Sequence, residues 1–194
     1  MCNLNPTIEA LDFIRGLEPK FKHNEKGRFL RTAPGTTMPL DHIPTEEDWG
    51  AYKNHHENKW AHDAFIGKTV EELLEWFERS LLVYDVLYHM SPKPFQYYIF
   101  ALKIILDPER PREDHICCNS ASVFLDLILD KLVQEPDTIL PVMEDLLPTA
   151  SYVASNQAQY DASIEIYGSF PSKFTEIRQL YATLQQRPDN NETA

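Results

Sequence analysis

Residues 69–106, which decide the fold class, have the sequence TVEELLEWFERSLLVYDVLYHMSPKPFQYYIFALKIIL. Thr69 and Glu72 have the spacing of a capping box, in which a hydroxyl and a carboxylate each accept a hydrogen bond from a free amide at a helix start. Apolar side chains then recur every three or four residues up to residue 88, which predicts one amphipathic helix of about five turns. Residues 95–106 are apolar nearly all round and predict a central, buried helix.

The same periodicity recurs on both sides of this stretch. Further helices are predicted at about 5–17, 45–66, 114–132, 137–147, 152–167 and 171–184. Pro141 and Pro148 are expected to limit or kink the fourth of these. With 6 Gly and 14 Pro, the composition fits helices separated by breaks at proline. We therefore expect an all-α fold, an irregular bundle of seven or eight helices whose C-terminal half has the pattern of a short helical-hairpin array.

The domain organisation follows from where the periodicity stops. We predict a single helical domain over residues 1–187, within which residues 19–44 form a long irregular segment that holds four Pro and two Gly. Residues 188–194 are polar and are predicted to be a disordered tail.

The charge is negative and uneven. The net charge is −12; residues 1–43 carry six basic and five acidic side chains, and residues 44–194 carry twelve and twenty-five. Such a field repels phosphate groups, so we expect no nucleic-acid and no membrane partner, and it attracts a basic protein. Solubility alone also explains an acidic composition, so both interpretations stay open.

The cysteines and the N-terminus indicate the compartment. The three cysteines are Cys2, Cys117 and Cys118, an odd number without the spacing of a disulfide framework, which favours a reducing environment. The first residues lack the basic start and apolar run of a signal peptide, and no apolar run reaches membrane-spanning length. A cytoplasmic location is expected.

Residues 55–63, HHENKWAHD, hold three of the seven histidines. Two ligands on a helix share a metal ion when they lie three or four residues apart, and this stretch has no His–His or His–carboxylate pair at that spacing. Lys59 and Asp63 are interpreted as a surface ion pair, and His56 is expected to face inward with Trp49, Tyr52 and Trp60. No catalytic residue, metal or cofactor is predicted.

Ligands that are distant in sequence leave one alternative open. A helical metal-dependent enzyme built on the His and Asp residues of 41–63 would need several histidines to meet in space, namely His42, His55, His62 or His89. A second alternative is a dimeric helical adaptor or scaffold, and the chain is expected to be a monomer or a homodimer.

Acidic side chains form the candidate binding site. Rows of like charge cost stability in a monomer, so they indicate either a solvated surface or a docking surface for a basic protein. Exposed aromatic side chains would serve as anchors in the second case. The predicted partner-binding residues are Glu71, Glu75, Glu78, Asp126, Asp130, Glu144, Asp145, Trp49 and Tyr52.

Residues 65–106 also resemble a known class of proteins. The entry at residues 65–67 into a capped helix, and then HMSPKPFQYY leading into a buried helix, are similar to segments of immunity proteins of bacterial polymorphic-toxin systems such as type VI secretion. The resemblance covers about a fifth of the chain and includes no catalytic motif. It implies a small, acidic, non-enzymatic protein that binds a cognate toxin and blocks its active or functional surface.

Overall fold

A computed structural model of the chain describes residues 42–54, 56–108 and 118–186, and for Cys118 only the backbone. The predicted helix at 5–17, most of the irregular segment at 19–44 and the predicted tail at 188–194 lie outside the described residues. The described residues all belong to one compact unit.

Every regular element among the described residues is helical, which confirms the predicted all-α fold. Short 3-10 turns at Tyr52–Asn54, Leu140–Val142 and Gln157–Tyr160 connect some of the helices. None of the described helices is both long and apolar enough to span a membrane. The α-helices, numbered in chain order, are α1 (Glu46–Trp49), α2 (His56–Phe65), α3 (Val70–Arg79), α4 (Val83–Tyr88), α5 (Pro92–Ile105), α6 (Cys118–Gln134), α7 (Pro136–Ile139), α8 (Met143–Ser155), α9 (Ile164–Tyr167) and α10 (Phe170–Gln185).

Helix α5 lies at the centre, as its sequence predicts. It packs against α1, α3, α4, α6, α7 and α8. Phe95, Tyr98, Phe100 and Leu102 are fully buried along it, and the Tyr98 hydroxyl donates a hydrogen bond to the Phe65 carbonyl oxygen at 2.7 Å. Beyond α5, helices α6, α8 and α10 contact one another. The core of the described bundle is therefore built around α5.

The capping box at the start of α3 is confirmed, but the long helix predicted after it is wrong. Thr69 Oγ1 accepts from the Glu72 amide at 3.2 Å, and Glu72 Oε2 accepts from the Thr69 amide at 2.8 Å. The helix ends at Arg79 because Ser80 turns extended, with ψ 134°, and its hydroxyl accepts from the Leu82 amide at 3.1 Å. A side chain that bonds a nearby backbone amide competes with helix continuation in this way. Helix α4 then begins at Val83, after a break of three residues.

A substitution at Leu81 tests whether the predicted long helix is broken. It is 79% exposed at the break, so Leu81→Asp is expected to change the free energy of unfolding by less than about 0.5 kcal/mol in urea denaturation. The matched control Leu73→Ala removes a buried side chain of α3 and is expected to cost about 3 kcal/mol. A cost for Leu81→Asp as large as that of the control would contradict the break.

The helix predicted at 45–66 is also two helices, and the break changes which histidine is buried. Helix α1 stops at Gly50, whose φ of 57° lies in the left-handed region that favours glycine. After the 3-10 turn, α2 turns Asn58, Ala61, His62 and Phe65 into the core. His56, expected to face inward, is exposed.

Two expectations about the C-terminal half are corrected as well. The helix predicted at 137–147 is interrupted at Pro141, as expected, by the 3-10 turn between α7 and α8, but it is not limited at Pro148, since α8 continues through that residue to Ser155. Residues 152–167 are not one helix: the chain leaves α8 at Asn156 and passes through Asp161, whose φ is 51°, before the four residues of α9. Asp tolerates the left-handed conformation better than most residues do.

Candidate functional site

Three of the predicted partner-binding glutamates form one exposed stripe on α3. Glu71, Glu75 and Glu78 lie four and three residues apart, so they share a helix face about 10 Å long. The opposite face of α3 is buried in the core, and the capping box fixes its start. Arg79 Nη1 lies 3.1 Å from Glu75 Oε1, but both side chains are more than two-thirds exposed. We call these three residues the α3 stripe, a firmly held negative surface.

Asp126 and Asp130 on α6, two further predicted partner-binding residues, are half-buried and make contacts within the fold. Lys173 Nζ lies 2.6 Å from Asp126 Oδ1, and the Ser122 hydroxyl donates to Asp126 Oδ2 at 2.9 Å. Asp130 accepts a hydrogen bond from the Tyr84 hydroxyl. Burial and the Asp130 carboxylate raise the pKa of Tyr84 well above its usual value, so the phenol keeps its proton. These two carboxylates hold α10 and α4 against α6.

Trp49 and Tyr52 are not surface anchors either. Trp49 is fully buried and Tyr52 is 7% exposed. The Tyr52 ring stacks on the His62 imidazole with ring centroids 3.6 Å apart, and the Trp49 ring meets the same imidazole edge-on at 5.3 Å. Aromatic rings that pack around a buried histidine belong to the core, so the structure corrects both assignments.

His62 lies between two carboxylates without forming a metal site. Its Nε2 lies 3.0 Å from Glu46 Oε1, and its Nδ1 lies 3.0 Å from Asp63 Oδ1. Because the two nitrogens point in different directions from the ring, these carboxylates cannot share one ion with it. Within residues 42–54, 56–108 and 118–186, no group of three or more His, Cys, Asp or Glu side chains is placed to hold a metal ion.

Of the other histidines predicted for a metal site, those that the structure describes contact residues other than His62. His42 Nε2 contacts Asp48 Oδ2 at 3.2 Å, and the His89 ring meets the Tyr88 ring edge-on at 5.0 Å. His55 and Asp41 lie outside the described residues. Lys59 and Asp63 form the exposed ion pair that their spacing predicts.

Asp48 is a buried carboxylate that the sequence did not single out. It accepts hydrogen bonds from the Thr45 amide at 2.9 Å, the Thr45 hydroxyl at 2.8 Å and Lys93 Nζ at 2.7 Å. The Lys93 ammonium and the Thr45 amide hold the pKa of this carboxyl well below its usual range. Asp48 therefore joins the start of α1 to the first turn of α5, and its role is structural.

Lys131 on α6 is also buried, with no exposed side-chain surface. Its ammonium lies 2.8 Å from Glu135 Oε2 and about 5 Å from the ring centres of Tyr88 and Phe95. Burial lowers the pKa of this ammonium, and the neighbouring Glu135 opposes that shift. A lysine at an i,i+4 spacing from a glutamate looks like a surface pair in sequence, so its burial could not be predicted.

A groove of about 480 Å³ lies between α8 and α10. Glu144, one of the predicted partner-binding residues, is exposed at its edge, whereas its neighbour Asp145 is half-buried near Lys103. Most of the lining is apolar. The groove is lined by Glu144, Leu147, Pro148, Ser151, Phe174, Arg178, Tyr181 and Ala182.

No family model, no curated protein and no solved structure matches the chain.

Proposed function

We propose that the chain is a non-enzymatic binding protein that engages a basic protein partner through the α3 stripe. The observation that carries this proposal is the placement of Glu71, Glu75 and Glu78 on one exposed face of a helix whose opposite face is buried. A binding surface on a fixed helix loses little conformational freedom on association, and its negative field steers a basic partner towards it.

The charge of the whole chain supports the same proposal. The net charge of −12 extends the attraction to a basic partner beyond direct contact, within the screening length of the solution. The carboxylates Asp126 and Asp130 on α6 make contacts within the fold, whereas Glu71, Glu75 and Glu78 on α3 stay at the surface.

We infer more specifically that the partner is a bacterial toxin and that the chain is its immunity protein, acting in the cytoplasm. This rests on the resemblance of residues 65–106 to immunity proteins, a segment that includes the whole α3 stripe. Binding would cover a basic active or functional surface of the toxin, and the chain needs no chemistry of its own for that.

The α3 stripe is tested by removing its charge. Glu71→Gln, Glu75→Gln and Glu78→Gln together are expected to weaken binding of the co-purified partner by about tenfold or more in isothermal titration calorimetry. The matched control changes Glu57, Glu165 and Glu176 to Gln, which alters the net charge equally at exposed positions elsewhere. Equal losses for the two triple variants would mean that net charge rather than the stripe determines binding, and would overturn the proposal.

A further inference from the structure

We propose that the groove between α8 and α10 binds an amphipathic helical segment of the protein partner, with a lysine or arginine of that segment placed at Glu144. The inference rests on the proposed function, because it requires a protein partner. It assigns the groove to a part of the interface other than the α3 stripe.

The apolar walls of the groove suit one face of a helix. Leu147 and Pro148 line it from α8, and Phe174 and Tyr181 line it from α10. Glu144, near the start of α8, and Tyr181, near the end of α10, both line the groove. Two packed helices with apolar side chains between them are a common receptor for an amphipathic helix.

One end of the groove offers hydrogen-bond acceptors. The Glu144 carboxylate is exposed there. A lysine or arginine side chain provides the charge and the donors that both carboxylate oxygens require.

Arg178 determines which polar group the bound segment can place beside it. It lines α10 about one turn before Tyr181 and offers donors only, so it favours a carboxylate or a carbonyl oxygen at that point. The complementary segment therefore has a basic residue at Glu144, apolar side chains across Leu147 and Phe174, and an acceptor at Arg178. A second copy of the chain is a less favourable occupant, because two copies that each carry −12 repel one another.

The test uses synthetic overlapping peptides that cover the partner co-purified with the full chain. Ala182 is exposed and lines the groove, so Ala182→Trp fills the groove without replacing a core side chain. Thr183→Trp is the matched control, because residue 183 is exposed on the side of α10 that faces away from the groove. We expect one basic amphipathic peptide to bind the wild-type chain, with its affinity lowered about tenfold by Ala182→Trp and by Glu144→Lys and unchanged by Thr183→Trp in fluorescence anisotropy.

Each other outcome overturns the inference in a different way. Equal peptide affinity for wild type and Ala182→Trp places the segment elsewhere. Peptide binding that strengthens when the chain is shortened to Gln186 shows that its own C-terminal residues occupy the groove. If Ala182→Trp changes the sedimentation of the pure chain but not its affinity for the peptide, the groove binds a second copy of the chain. If the α3 stripe variants weaken binding of the partner while the groove variants do not, the proposed function stands and only this inference is wrong. If no partner co-purifies with the chain, both are wrong.

Discussion

Replacing Asp48 by alanine is expected to lower the free energy of unfolding by about 3 kcal/mol at neutral pH, one of the largest single-site effects in the described chain. The buried carboxylate accepts hydrogen bonds from the Lys93 ammonium and from the amide and hydroxyl of Thr45, and His42 Nε2 lies 3.2 Å from it. Alanine leaves the Thr45 amide without its acceptor at the start of α1 and removes the tie to α5. Urea denaturation followed by circular dichroism measures the loss.

Glu47→Ala is the matched control for Asp48→Ala, since Glu47 is the exposed neighbour in the same short helix. Its effect should stay within about 0.5 kcal/mol. The folded pKa of Asp48 lies below its unfolded value, so its contribution to stability is complete above about pH 4 and falls away as the pH drops further. The difference in free energy of unfolding between wild type and Asp48→Ala should therefore become smaller in acid. A difference that is already small at neutral pH would contradict the role given to the hydrogen bonds of Asp48.

Lys131 is expected to respond in opposite ways to two replacements. Lys131→Ala removes a fully buried side chain that packs on Tyr88 and Phe95, and it should cost about 3 kcal/mol of unfolding free energy. Lys131→Met keeps the length of the stem and removes the buried charge, so stability should be unchanged or higher by up to about 2 kcal/mol. The Glu135 carboxylate is half exposed, so water solvates it when the ammonium is gone.

The pH dependence provides a second test of Lys131. Burial lowers its folded pKa below the unfolded value of 10.5, so the unfolded chain binds more protons in that window and stability from this group rises as the pH increases. This rise in the free energy of unfolding should be present in wild type and absent in Lys131→Met when the two are compared over the same alkaline pH range. Equal destabilisation by alanine and by methionine would show that the charge, rather than the stem, stabilises the site.

The sequence predicted those features that depend on neighbours along the chain. The capping box of Thr69 and Glu72 joins residues three apart, and the ion pair of Lys59 and Asp63 joins residues four apart. The buried character of α5 follows from a run of apolar residues that allows no polar face. Each of these needs only helical geometry, and each is found in the structure.

The sequence could not predict the features that depend on where helices break. Periodicity continues through Ser80 and Gly50, although local backbone bonding and a left-handed glycine end the helices there. The break at Gly50 exchanges His56 for His62 in the core, which a continuous helix would not do. A weak indication was present at both sites, since glycine and serine are frequent at helix ends.

Only part of the candidate site could be predicted, because some of its contacts join residues that are distant in sequence. Spacing places Glu71, Glu75 and Glu78 on one exposed face, and the structure keeps them there. Asp126 contacts Lys173 and Asp130 contacts Tyr84, each more than forty residues away in sequence, so these contacts within the fold could not be foreseen. The same holds for the packing of α10 beside α8, which forms the groove.

Native mass spectrometry of the full chain, purified from its own host without chelator, tests the central claim most directly. We predict a stoichiometric complex with one basic protein, which separates into its components as the ionic strength rises because exposed charges hold it together. A bare chain that carries one or two tightly held metal ions would contradict the account and favour the metal-dependent enzyme.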